Sequence, residues 1–160
     1  NLHMNCCANI RLSLSPPIDI GKLLKRIGIS TVEVDFTKLE GYSVQGVSFT
    51  DADSLYILYK KGASYNRQLL SIAYELGYCV YSDSLCLNHI RKYGEVDEQI
   101  MQFVGELLIP EAALMPIYKK FTIPSLSRLS KIFGVSTALM ATRLNALELN
   151  YYKDTQLSDM

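Results

Sequence analysis

Asn66-Arg67-Gln68-Leu69-Leu70-Ser71-Ile72-Ala73-Tyr74-Glu75-Leu76-Gly77-Tyr78-Cys79-Val80-Tyr81 is the stretch that decides the fold. Leu69, Ile72, Ala73, Leu76 and Val80 recur at helical spacing, so one side of a helix over residues 65–81 is set to meet a core. Ser71, Tyr74, Glu75 and Tyr78 lie towards the other side. Ser64 precedes the run and is a good N-cap.

Upstream of this helix the period changes from helical to alternating. Ile29 to Phe36 reads as a strand with Val32, Val34 and Phe36 on its apolar face and Glu33 and Asp35 opposite. Ser43 to Phe49 and Leu55 to Tyr59 read as two further strands, joined by a turn at Asp51-Ala52-Asp53. Sequence adjacency predicts a small antiparallel sheet of three strands. Before them, Asp19 caps a short helix through Arg26, with Leu23, Leu24 and Ile27 as its stripe and Gly28 as its stop.

Downstream, Glu95 to Leu108 is a second strong helix, with Ile100, Phe103, Val104, Leu107 and Leu108 as its stripe. Ala112 to Phe121 is a third, with Pro116 inside it or at its start. Ser125 to Ser136 and Thr137 to Leu147 form a closing pair with the look of a helix-turn-helix. Leu85 to Tyr93 fits neither period. The expected class is α+β, a three-stranded antiparallel sheet packed on a helical bundle around helix 65–81. The expected division is an arm over 1–15, a main domain over 16–122, the helix pair over 123–150 packed on it, and a polar tail over 151–160. An expression remnant would explain Asn1-Leu2-His3 ahead of Met4.

At 160 residues, one domain can bury an adequate core without staples. Sixteen basic and sixteen acidic residues cancel, so no overall field draws the chain to nucleic acid or anionic membrane. Cys6, Cys7, Cys79 and Cys86 lack the spacing of a disulfide framework and read as free thiols of a reducing, cytoplasmic setting. No apolar run reaches the roughly 18 residues of a membrane span.

Four pieces, in order, resemble the ImmA/IrrE-type metallopeptidase domain. Pro17-Ile18-Asp19-Ile20 through Gly28-Ile29 is similar to its opening. Arg67-Gln68 with Ala73-Tyr74-Glu75-Leu76-Gly77-Tyr78 resembles its zinc helix, which carries His-Glu-x-x-His. Phe103-Val104-Gly105-Glu106-Leu107-Leu108-Ile109-Pro110 resembles a later segment, and Leu129 to Ser136 with Arg143-Leu144 resembles the closing helix pair. The resemblance implies a zincin-like core and a cytosolic zinc protease that acts on a helix-turn-helix repressor of a phage or mobile element. Two histidines one turn apart would bind zinc, the glutamate between them would act as general base, and a downstream acid would complete the site.

Carried over by position, both histidines are replaced, by Tyr74 and Tyr78, while Glu75 keeps the general-base position. The third-ligand position falls at Asp97 or Gln99, and one sequence leaves the choice open. A phenol titrates near pH 10 and is a poor zinc ligand beside an imidazole. The expectation is therefore an inactive relative with zinc lost. Its converted face, Ser71, Tyr74, Glu75, Tyr78 and Tyr81, would serve as a binding surface for a protein such as a repressor or other regulator, since tyrosine suits interfaces. Three alternatives stand beside it. One is an atypical peptidase with a metal site rebuilt from Cys79, Cys86 and His89, of which the plainer reading is packed thiols and a surface histidine. In another, Glu75 is structural, held by the neighbouring phenols. The last is a sensor or effector domain of a DNA-binding repressor. Every ionised residue from Ala112 to Leu147 is basic. Yet the closing helix offers only Arg143 and Asn145 to a base or phosphate, so direct DNA binding is disfavoured.

Overall fold

The computed structural model describes residues 15–37, 45–52, 54–81 and 98–154. Asp19 starts α1 (Ile20–Arg26) by accepting the Lys22 N–H at 3.0 Å, and Gly28 ends it with φ of 78°. Then come β1 (Ile29–Val34), β2 (Gly46–Asp51) and β3 (Ser54–Lys60). Next are α2 (Tyr65–Tyr81), α3 (Glu98–Leu108), α4 (Glu111–Tyr118), α5 (Leu126–Phe133) and α6 (Thr137–Ala146). The α+β class is as the sequence predicts.

The sheet differs from expectation in order and direction. It runs β1-β3-β2; β2 is antiparallel to β3, but β1 lies parallel to β3, so the sheet is mixed. β2 and β3 close as a hairpin at the pair Asp51–Ser54, and Ala52 takes a φ of 51°, the positive angle that tight hairpins demand. β1 and β2, consecutive in sequence, thus lie on opposite edges with β3 between them. The central place goes to the strand that can be covered on both flanks. Ile57 of β3 is fully buried, whereas Ser30, Thr31, Val32 and Glu33 of β1 are exposed, as suits an edge.

The face of β1 also reverses the expectation. Paired residues share a face, so Thr31 and Glu33 lie on the side of Ile57 and Tyr59, and Glu33 accepts a hydrogen bond from Gln68 of α2 at 3.2 Å. Val32 is on the other side and exposed. Phe36 is buried beyond the strand's end.

Helix α2 lies between the sheet and α3. Leu69, Ile72, Ala73 and Leu76 enter the core with Ile20, Leu24 and Ile57, as their spacing predicts; Val80, expected with them, is exposed. Gly77 makes the approach of α3 possible. A Cβ there would lie 2.9 Å from Ile100 Cγ2 and 2.9 Å from Phe103 Cδ1. The core continues through Val104, Leu108, Leu114, Leu129, Phe133, Met140 and Leu144, so the closing pair shares one core with α3. Gly134, at φ of 64°, ends α5, and its N–H and that of Val135 return to Lys131 and Ser130.

The chain end is pinned to this pair. Tyr152 bridges Ser125, and Asp154 accepts the Ser125 hydroxyl at 2.6 Å and the Ser127 N–H at 3.2 Å. Among the described residues no single helix is long and apolar enough to cross a membrane. Cys6, Cys7, residues 1–14 of the arm expected over 1–15, and the ambiguous Leu85–Tyr93 segment lie outside the described residues.

Two outcomes test these contacts. Gly77→Ala forces Ile100 and Phe103 aside and is expected to destabilise the fold by about 1–3 kcal/mol in urea unfolding. The Ser125 hydroxyl, foremost among several hydrogen bonds, holds the Asp154 carboxyl below its ordinary 3.8. A lowered native value means this anchor is fully present above the unfolded value and is lost as pH falls through the native one. Exchange of the Leu126 amide, which donates to the Tyr152 carbonyl, is expected to accelerate, relative to the rest of α5, as pH drops below about 4.

Candidate functional site

Ser71, Tyr74, Glu75 and Tyr78 fall on one side of α2: positions 74, 75 and 78 follow Ser71 by three, four and seven residues and together span about 100° of the helix circumference. That stripe is where the sequence places the candidate chemistry, but it is not an open surface. Ser71 is buried, Tyr74 is 5% exposed and Glu75 is 4% exposed; Tyr78 is half-buried. Of the five proposed surface residues only Tyr81, at 48%, is exposed. It meets the edge of the Phe103 ring at 5.9 Å. The helix uses its polar side as well as its apolar one for packing, since sheet and α3 close on it from different directions.

Glu75 sits against β2. The Ser48 hydroxyl donates to Glu75 Oε2 at 3.1 Å, and both side chains are buried. Gly46, two residues earlier on the same face, leaves room for the carboxylate. A Cβ at position 46 would stand 3.0 Å from Glu75 Cγ and 3.4 Å from Oε1. A buried carboxylate costs several kcal/mol unless hydrogen bonds replace its water, and Ser48 supplies one of them. The structural alternative for Glu75 invoked phenol partners; the strand hydroxyl is a partner that reading left out. Gly46 and Ser48 carried a signal in sequence. An isolated glycine in an alternating strand often marks a close approach of another group, and a serine two residues on shares its face.

The remaining candidates scatter. Gln99 lies in the first turn of α3, exposed, and Asp97 is outside the described residues. Cys79 is a half-buried free thiol on α2, while Cys86 and His89 are outside the described residues. Among the described residues no three of His, Cys, Asp and Glu converge.

Arg143 is not the nucleic-acid contact that its helix suggested. It is 7% exposed; Nε donates to the Ile109 carbonyl at 3.2 Å and a terminal nitrogen pairs with Glu106 at 3.3 Å. Gly105 lies under its side chain, where a Cβ would reach Arg143 Cδ at 3.4 Å. The guanidinium thus closes the carboxyl end of α3 onto α6.

The domain is a helix packed on a small sheet and backed by a helix pair that shares its core. The family model described as peptidase M78, the IrrE N-terminal-like domain, matches residues 25–145, and the chain belongs to that family. Comparison with curated proteins gives no match.

Family members would hold zinc through nitrogen donors on α2. The residues here do not fit that group. Phenols stand at both positions, Tyr74 is almost wholly enclosed, and Glu75 has turned its carboxylate to a strand hydroxyl. Ser48→Ala removes a donor from a buried carboxylate and is expected to cost about 1–3 kcal/mol in urea unfolding. Ser48→Thr, which keeps the hydroxyl, is expected to retain most of it. An Ala variant as stable as the parent would show that the bond carries nothing.

Proposed function

We propose that this protein is a catalytically inactive member of its family that acts by binding another protein. The partner of this reading is a helix-turn-helix repressor, or another regulator, of a phage or mobile element. The observation that carries it is the pairing of tyrosine at both nitrogen-ligand positions with a Glu75 carboxylate clamped between Gly46 and Ser48. A general base must reach the water it deprotonates. A carboxylate that is buried and already accepts a hydroxyl proton is placed to join helix to strand.

Family membership supports the kind of partner, and the packing of α2, α3 and α6 into one core supports a role that needs the domain's shape. The neutral overall charge fits a partner that is not recognised as a polyanion at long range.

The test combines metal content, integrity of the partner and one isosteric variant. After incubation with zinc and dialysis, the purified chain is expected to hold no stoichiometric zinc. Co-expressed with a repressor of the same mobile element, it is expected to co-elute with full-length repressor, and Glu75→Gln is expected to leave that complex unchanged. One equivalent of bound zinc, or repressor cleavage that disappears in Glu75→Gln, overturns the proposal.

A further inference from the structure

Outside α2, one corner of the molecule gathers features that the fold does not use. The turn after α4 carries Lys119 and Lys120, both exposed, followed by Phe121 and by Ile123, which is 52% exposed. The start of α5 adds Arg128, whose guanidinium carbon lies 4.7 Å from the centroid of the Phe121 ring. The chain end runs alongside: Tyr118 donates to the Asn150 carbonyl at 2.8 Å, Tyr152 N–H donates to Pro124, and the Tyr152 side chain is 52% exposed. These three segments are therefore adjacent in space, not only similar in composition.

The charge of the corner is one-sided. No acidic residue occurs between Ala112 and Leu147, although the whole chain is neutral. The nearby acid is Asp154, on the chain-end segment itself. It is held by the Ser125 hydroxyl and the Ser127 N–H at the amino end of α5. The molecule thus displays at this corner how a carboxylate on an extended segment is received: strand-like pairing at Ser125–Tyr152, and the carboxylate on a hydroxyl and a helix N–H. Among the described residues Lys119, Lys120 and Arg128 form no ion pair, so they can receive carboxylates from elsewhere. Stacking on Phe121 holds the Arg128 fork in place for such a group. Ile123 and Tyr152 add exposed apolar area on the same segments, the usual anchor of a protein partner.

We propose that this corner, formed by Lys119, Lys120, Ile123, Arg128 and Tyr152, is a docking surface for an acidic protein segment that carries apolar side chains between its carboxylates. A nucleic acid fits less well: an aliphatic side chain at the centre offers nothing to a base or phosphate. The cations are also few for a phosphate track. The proposal does not depend on whether α2 has kept any chemistry.

The test uses the full chain and a fluorescein-labelled peptide of alternating glutamate and leucine. Controls are the same peptide with glutamine for glutamate, and oligothymidine of equal length. The acidic peptide is expected to bind, to weaken as salt is raised, and to lose about tenfold affinity in the Lys119→Glu, Lys120→Glu double variant. Ile123→Ser is expected to weaken it by about threefold, the scale of partly exposed apolar area. Reversal of Lys25 and Arg26, exposed on α1, is expected to change little; thermal melts of every variant report folding. The proposal is overturned if the acidic peptide does not bind, if the glutamine peptide binds equally, if oligothymidine binds more tightly, or if the Lys119, Lys120 double variant folds and binds like the parent.

Discussion

Glu75 reaches β2, and much of the domain is arranged to let it. Helix α2 can bring a carboxylate against a strand because Gly46 has no side chain there and Ser48 offers a hydroxyl on the same face. The same helix takes α3 on another side through Gly77, where a methyl group would collide with Ile100 and Phe103. Two close approaches fix α2 in translation and rotation, and the apolar stripe of Leu69, Ile72, Ala73 and Leu76 then fills the space between them. Dense interiors tolerate little change in volume, so these small residues are as constraining as the large ones.

From α2 the constraint passes to the closing helices. Arg143 crosses from α6 to the Ile109 carbonyl and Glu106 at the end of α3, and so satisfies a buried backbone group that α3 leaves over. In the family-like segment Phe103 to Pro110, glutamate therefore has a physical use, and in the closing pair so does arginine. The helix pair is thus part of the domain's own architecture. One of the two residues its last helix would offer to a base or phosphate, Arg143, is buried in an internal contact.

This arrangement bears on the chemistry. In a zinc helix, histidines one turn apart present nitrogen to the metal and the glutamate between them faces the reacting water. In the proposed reading the donor positions fall to the phenols of Tyr74 and Tyr78; the structure itself has Tyr74 nearly enclosed and the Glu75 carboxylate joined to a strand hydroxyl. A scaffold of this kind preserves shape and surface, and the exposed basic and apolar corner at the α4–α5 turn is where that surface is least explained by folding alone.

The sequence by itself determined which stretches are helices and some of their ends, although the helix expected over Ala112 to Phe121 spans Glu111–Tyr118. Asp19 caps α1 as its chemistry predicts, Gly28 stops it, and α2 spans the residues its period marked. These are local effects, set within a few residues. The family was legible for a related reason, because its motifs are short and ordered along the chain. Tertiary structure alone decided what depends on distant partners. The place of β3 between β1 and β2, and its parallel pairing with β1, rest on contacts between distant segments, which adjacency cannot foresee. The inward face of β1 follows from that pairing. The burial of Ser71, Tyr74 and Glu75 follows from a strand 27 residues upstream of Glu75 and a helix that begins at Glu98. Helical periodicity reports which residues share a side; it does not report how many sides are covered.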